Sequence, residues 1–82
     1  MEMKLTVLAF GISRDILGGA ELSLELEEHA TVADMKAELM RRFPDFGRLT
    51  ALAVAVNSEY AESGKELREG DEIALIPPVS GG

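Results

Sequence analysis

The chain has 82 residues, of which 46% are hydrophobic, and this is enough for one folded domain with one modest core. Fifteen acidic against eight basic residues give a formal charge of −7, which argues against nucleic acid or an anionic membrane as partner and favours a basic protein surface. The sequence has no cysteine, no signal-like start and no apolar run of about 18 residues, so we expect a cytoplasmic protein without disulfides, thiolate metal sites or a membrane span.

Two strands open the predicted fold. Residues 3–10 are rich in β-branched and large apolar side chains, and alternation leaves Leu8 and Phe10 as an apolar pair on the face opposite to the other apolar residues. After a loop at 11–19, in which a short helical turn is one option, residues 20–27 alternate leucine with polar, mostly acidic side chains. Two strands joined by a loop of this length predict a hairpin.

One helix follows the hairpin. Thr31 and Asp34 fit the capping-box pattern, in which the threonine hydroxyl accepts a hydrogen bond from a first-turn amide. We therefore expect the helix to begin at Val32 and to run for about three turns. It should end near Phe43, because the following proline disfavours helical geometry in the residue before it.

The second half of the chain predicts the rest of a sheet. Residues 52–56 read as a third strand, followed by a turn at 57–58 and a short segment around Tyr60. Leu67 should plug the core from a turn, and residues 72–76 form the final strand. This order predicts an α+β fold in which one helix packs across a mixed sheet, with the last strand parallel to the first. That arrangement is the β-grasp, or ubiquitin-like, roll.

A tail at residues 77–82 is predicted to leave the domain, which spans residues 1–76. Its two prolines lack N–H groups and fix φ, so they end the strand ladder and favour an extended exit with a reach of roughly 20 Å. Gly81 and Gly82 place no side chain beside the terminal carboxylate, which would let the backbone enter a narrow channel in another protein. The alternative is a frayed end without function.

The main-chain carboxylate of Gly82 is the group with the clearest chemistry. It is an anion at neutral pH and a poor acyl electrophile, so it must be activated. Adenylation by ATP would supply a leaving group, and sulfur from a persulfide could then produce a terminal thiocarboxylate. The sequence therefore indicates a carrier and not a self-sufficient enzyme, with Gly82 as the reacting group and Gly81 beside it.

The last six residues of the chain are Pro77, Pro78, Val79, Ser80, Gly81 and Gly82. This ending resembles that of the small, sulfur-carrying subunit of molybdopterin synthase, and it is the most specific part of the resemblance. The lead-in at 70–73, the Phe-Gly-Ile-Ser-Arg segment at 10–14 and the strand end at 55–57 are also similar to that family. Relatives often carry aromatic residues just before the two prolines, whereas this chain has Leu75 and Ile76.

The resemblance implies a cycle of activation and sulfur transfer. A ubiquitin-activating-like enzyme would use ATP to adenylate Gly82, and a sulfurtransferase or cysteine desulfurase would supply sulfur. The large synthase subunit would accept the tail, and the sulfur would go to a cyclic pyranopterin monophosphate to build the dithiolene of molybdopterin. The catalytic side chains would belong to that subunit, in an assembly of two small and two large subunits, and this chain would bind no cofactor or metal.

A partner interface is predicted around the exit of the tail. Leu8, Phe10 and Ile76 would form an apolar patch on the sheet face away from the helix, unless a loop covers it. Arg14 matches the family's loop arginine and would either pair with an acidic group of the partner or remain a solvated surface residue. The full predicted interface comprises Leu8, Phe10, Arg14, Leu75, Ile76, Pro77, Pro78, Val79 and Ser80.

Three other functions stay open at this point. The chain could carry sulfur for thiamine, tRNA thiolation or cysteine synthesis, because the chemistry at Gly82 would be the same. It could be a ubiquitin-like modifier that forms isopeptide bonds with lysines, or a plain binding module with an incidental end. His29 is the single histidine and is interpreted as a loop residue and not as a ligand or base.

Overall fold

A computed structural model describes residues 1–48 and 52–77, and within them it shows a five-stranded mixed sheet with one long helix packed across it. The strands are β1 (Glu2–Ala9), β2 (Glu21–Glu27), β3 (Ala53–Val56), β4 (Glu59–Tyr60) and β5 (Glu72–Ile76). The helices are α1 (Ile12–Leu17), α2 (Val32–Arg42) and a 3₁₀ helix at Pro44–Arg48. No helix in these described ranges has the length and apolar character needed to cross a membrane.

β1 and β2 form the predicted antiparallel hairpin. Their register pairs Leu5 with Leu24 and Val7 with Leu22, so the apolar residues of both strands share one face. Leu5 and Val7 are 1% and 0% exposed, which places them at the centre of the core. The connection contains α1, so the optional helical turn is a complete short helix. β1 ends at Ala9, one residue earlier than predicted.

α2 begins where the capping box predicts. The Thr31 hydroxyl accepts a hydrogen bond from the Asp34 amide at 3.3 Å, and the Asp34 carboxylate accepts one from the Thr31 amide at 2.9 Å. Both reciprocal bonds satisfy donors that the first turn leaves unpaired. The buried face of the helix consists of Val32, Met35 and Leu39, each 0% exposed.

β5 lies at the centre of the sheet. It pairs in parallel with β1, Val7 opposite Ile73, and antiparallel with β3, Val54 opposite Leu75. The order across the sheet is β2-β1-β5-β3-β4. Leu67 is 1% exposed and plugs the core as predicted. The first and last strands are therefore neighbours, and the predicted β-grasp arrangement is confirmed.

The turn between β3 and β4 is fixed to the start of β5 by a side chain. Asn57 has φ of 51° and Ser58 has φ of 73°, which matches the predicted turn. The Asn57 side-chain amide donates to the Asp71 carboxylate at 2.9 Å, and its carbonyl oxygen accepts from the Glu72 amide at 3.0 Å. These bonds hold the β3–β4 hairpin against the entry to the central strand.

Candidate functional site at the exit of the chain from the sheet

Pro77 is the point at which the described chain leaves the sheet. It follows the last residue of β5 and is partly buried. A Cβ atom added to Gly11 would lie 3.1 Å from Cγ of Pro77, closer than ordinary van der Waals contact, so the proline ring lies against the loop between β1 and α1. The predicted tail residues Pro78, Val79, Ser80, Gly81 and Gly82 lie outside the described residues, and the division at residue 77 stays a prediction.

The loop against which Pro77 lies is closed by a buried serine. Ser13 is 0% exposed, and its hydroxyl donates to the Phe10 carbonyl at 2.6 Å and accepts from the Phe10 amide at 2.9 Å. The Arg14 amide also donates to the Gly11 carbonyl at 3.1 Å. Sequence reasoning missed the role of Ser13. The signal was available, because a serine three residues after Phe10, the predicted end of the strand, is typical of a local hydroxyl-to-backbone turn.

The sheet face opposite α2 is apolar near this exit. Cross-strand pairing sets Leu8 opposite Ala74, Ala74 opposite Ala55, and Ala55 opposite Tyr60, so these four residues form one row across four strands. Ile76 pairs with Ala53 in the next row toward the exit. We call this set the apolar sheet face; it consists of Leu8, Ala53, Ala55, Tyr60, Ala74 and Ile76.

Two aromatic residues stand out of this end of the sheet. Tyr60, on edge strand β4, is 78% exposed, and Phe10, one residue past the end of β1, is 49% exposed. Leu8 and Ile76 are half-buried on adjacent strands of the same face. The structure thus brings together three residues of the predicted patch and adds Tyr60. Sequence reasoning did not find Tyr60, because only the pairing of β3 with β4 places it in the row.

Leu75 does not belong to this surface. It is 0% exposed and pairs with Ala9 and Val54, so its side chain points into the core beneath α2. Side chains alternate along a strand, and Leu75 and Ile76 therefore face opposite ways. Its inclusion in the predicted interface was wrong. Arg14 is exposed on α1, where a partner could reach it.

Carboxylates border the apolar sheet face. Glu21 lies opposite Leu8 at one edge, and Glu72 follows the face toward the far end of β5; both are exposed. An apolar centre with an acidic rim is complementary to a partner that has a basic rim. The rim therefore agrees with the net charge in favouring a basic protein surface.

The titratable groups with perturbed pKa values lie elsewhere in the described residues. On α2, a hydrogen bond to Arg41 at 2.6 Å lowers the pKa of the half-buried Glu38 and raises that of Arg41. A hydrogen bond to Glu66 at 2.9 Å raises the pKa of His29 in the loop before α2. Among residues 1–48 and 52–77 there is also no group of three or more histidine, aspartate or glutamate side chains placed to hold a metal ion.

A β-grasp domain with an apolar sheet face beside its C-terminal exit defines a ubiquitin-like protein. The family model described as the ThiS family matches residues 7–82, and the chain belongs to this family. The chain is 36% identical over 83 residues to the molybdopterin synthase sulfur carrier subunit of Chlamydomonas reinhardtii, an alignment that covers 98% of this chain and 100% of that protein.

Solved structures agree with the sequence comparison. A Pyrococcus furiosus protein described as molybdopterin converting factor, subunit 1, has a TM-score of 0.88 at 30% identity and covers 94% of this chain and 99% of its own. SAMP1 from Haloferax volcanii gives 0.86 at 28% identity, covering 96% and 99%. The complex of subunits 1 and 2 of molybdopterin-converting factor from Helicobacter pylori gives 0.67 at 26% identity, covering 98% and 100%.

Proposed function

We propose that this chain is the sulfur carrier subunit of a molybdopterin synthase. The observation that carries the proposal is the apolar sheet face placed beside the exit at Pro77, with a sequence that ends in Gly81 and Gly82. Such a face can dock on a partner while the chain end enters that partner. The similarity to sulfur carrier subunits over nearly the whole of both chains supports the same function.

The proposed reaction begins at the carboxylate of Gly82. One carboxylate oxygen attacks the α-phosphorus of ATP on an activating enzyme, which forms an acyl adenylate and releases pyrophosphate. The terminal sulfur of a persulfide attacks the acyl carbon and expels AMP, which leaves an acyl disulfide. A second thiol of the partner then attacks the partner's sulfur of that bond, so that a new disulfide forms on the partner and the thiocarboxylate is released. Both sulfur groups must come from partners, because this chain has no cysteine.

The chain end then donates its sulfur inside the large synthase subunit. In this proposal the sulfur goes to a cyclic pyranopterin monophosphate, and the large subunit supplies the catalytic side chains. The assembly holds two small and two large subunits in the cytoplasm. The carrier itself binds no cofactor, and ATP is used by the activating enzyme. The two-subunit complex from Helicobacter pylori supports a large-subunit partner.

Docking on the large subunit should depend on the two exposed aromatic residues. Truncation of a central aromatic residue in an interface costs about 2 kcal/mol, or roughly a thirtyfold weaker Kd. We expect Phe10→Asp and Tyr60→Ala each to weaken binding of the large subunit by at least about tenfold in calorimetry. Met40→Ala is the matched control, because Met40 is 50% exposed, like Phe10 at 49%, but lies on α2. Equal weakening by all three variants would contradict this docking surface.

Intact-mass analysis tests the carrier chemistry directly. The purified chain is incubated with ATP, an activating enzyme and a persulfide donor. The expected result is the mass gain that corresponds to replacement of one oxygen by sulfur, located at the C-terminus by fragmentation. A variant that ends at Ser80 should show no gain. An unchanged mass for the full chain, under conditions that charge a known carrier, would refute the proposal.

Protein conjugation is the second candidate function. The similarity to SAMP1, described as a small archaeal modifier protein, favours it. A modifier would form adducts with lysines of other proteins, and these adducts should disappear when Gly82 is deleted. Copurification with a synthase large subunit, without such adducts, would favour the carrier function. Sulfur carriers for thiamine, tRNA thiolation or cysteine synthesis would pass the mass test but would not bind that subunit.

A further inference from the structure

We infer that Gly11 is a positioning residue for sulfur transfer, because its contact with Pro77 sets the direction in which the chain leaves the sheet. The inference rests on the proposed function and deepens it. The apolar sheet face explains how the domain docks, but docking alone does not aim the chain end. A reacting group displaced by about 1 Å can lose on the order of a hundredfold in rate. We therefore expect the position of Pro77, where the described chain leaves the sheet, to be held by contacts within the domain.

The loop that provides this support is held on both sides of Gly11. On one side, the buried Ser13 hydroxyl bonds both the amide and the carbonyl of Phe10. On the other side, the Gly11 carbonyl accepts from the Arg14 amide. Gly11 itself has φ of 58° and ψ of −133°, a combination that side-chain-bearing residues avoid. The loop is thus closed in a single conformation that requires glycine.

Pro77 is held from the other direction by the sheet. It directly follows Ile76, which pairs with Ala53 on β3, and its own ring removes rotation about φ. The ring packs against Gly11 so closely that a Cβ atom there would lie 3.1 Å from Cγ of Pro77. An alanine at position 11 would therefore displace the Pro77 ring by a few tenths of an ångström, at the point where the described chain leaves the sheet.

The chain offers a control for the glycine substitution. Gly18, at the opposite end of α1, also has a positive φ, 80°, but a Cβ atom there meets nothing within 4 Å. Gly18→Ala introduces an alanine at positive φ without touching the exit. Pro77→Ala removes the ring atoms from the contact and leaves the loop sequence unchanged. The double variant Gly11→Ala/Pro77→Ala keeps the altered loop but removes the clash.

The experiment measures single-turnover sulfur transfer from the thiocarboxylated chain to cyclic pyranopterin monophosphate on the large subunit. The thiocarboxylate is made chemically from a C-terminal thioester, so activation is bypassed. We expect Gly11→Ala to lower the maximal rate about tenfold with little change in Kd for the large subunit, and Gly18→Ala to behave as wild type. The double variant should be no slower than Pro77→Ala alone. The inference is overturned if Gly11→Ala transfers sulfur as fast as Gly18→Ala. It is also overturned if Gly11→Ala slows transfer as much in the chain that carries Pro77→Ala as it does in wild type.

A structural readout separates this inference from the proposed function. Because the chain has no cysteine, Ser80→Cys provides a unique site for a nitroxide label. The label broadens the NMR signals of nearby amides in the domain. Compared with wild type, this pattern of broadening should change in Gly11→Ala and stay the same in Gly18→Ala. The double variant should show the same pattern as Pro77→Ala alone. If wild type transfers no sulfur but these label effects appear, the proposed function fails and the positioning stands. Unchanged label effects in Gly11→Ala overturn the positioning.

If Gly11→Ala does not fold, Pro77→Ala alone decides the question. A Pro77→Ala chain with the wild-type transfer rate and wild-type label effects overturns the inference, whereas an altered rate and altered label effects support it.

Discussion

Replacing Ser13 by alanine removes one buried hydroxyl that makes two hydrogen bonds to Phe10. The Phe10 carbonyl keeps a partner, since the Ser13 amide also donates to it at 3.2 Å. The Phe10 amide donates to no other acceptor among the described residues, because β1 ends at Ala9, so it becomes an unsatisfied donor. Such a donor costs about 1–3 kcal/mol, so we expect the free energy of unfolding to fall by about 2 kcal/mol.

Urea denaturation followed by circular dichroism measures this loss. With a slope of about 1 kcal/mol per molar urea for a small domain, the midpoint should fall by about 2 M. The thermal midpoint should fall by roughly 10 °C. Ser23→Ala is the matched control, because Ser23 is exposed on β2, and it should change stability by less than about 0.5 kcal/mol. Equal stability of the two variants would refute the assignment of Ser13 as the closure of the loop.

Three further predictions concern the fold. Leu67→Ala should lower the free energy of unfolding in urea by about 2–5 kcal/mol, because Leu67 is 1% exposed in the core. Asn57→Ala should lower the free energy of unfolding by about 1–2 kcal/mol, since the hydrogen bond to Asp71 is lost and alanine is strained at φ of 51°. Asn57→Gly loses the same bond but tolerates this φ, so it should lower the free energy of unfolding less, and the reverse order would contradict this explanation. Because Glu66 raises the pKa of His29, the pair should stabilise the fold below about pH 6.5 and lose its effect as the pH rises through the raised pKa. The difference in thermal midpoint between wild type and His29→Gln should therefore be larger at about pH 6 than at about pH 9, and a constant difference would count against the ion pair.

Elements with strong local signals could be predicted from the sequence. β5 matches its predicted bounds because an alternating apolar run lies between a turn and two prolines. α2 begins at Val32 because the capping box there is made of two nearby residues. In both cases the deciding interactions join residues that are close in sequence.

Features that depend on distant residues could not be predicted in the same way. α1 has only six residues, too few for periodicity to reveal a helix, and burial of Leu17 and Ser13 stabilises it. Tyr60 joins the apolar sheet face only through pairing with Ala55. Leu75 was predicted at the interface, but alternation along β5 places it on the same side as Ile73, and both residues are buried in the core.

The parallel pairing of β1 with β5 has a mechanical consequence. The start of β1 and the end of β5 lie at opposite ends of the two strands, and β5 is flanked on its other side by β3. A pull on the chain beyond Pro77 is therefore directed along the strands, and it must shear the bonds on both sides of β5 together instead of opening them one at a time. An enzyme that draws the chain end into its own cleft can exert tension on it while the domain stays folded.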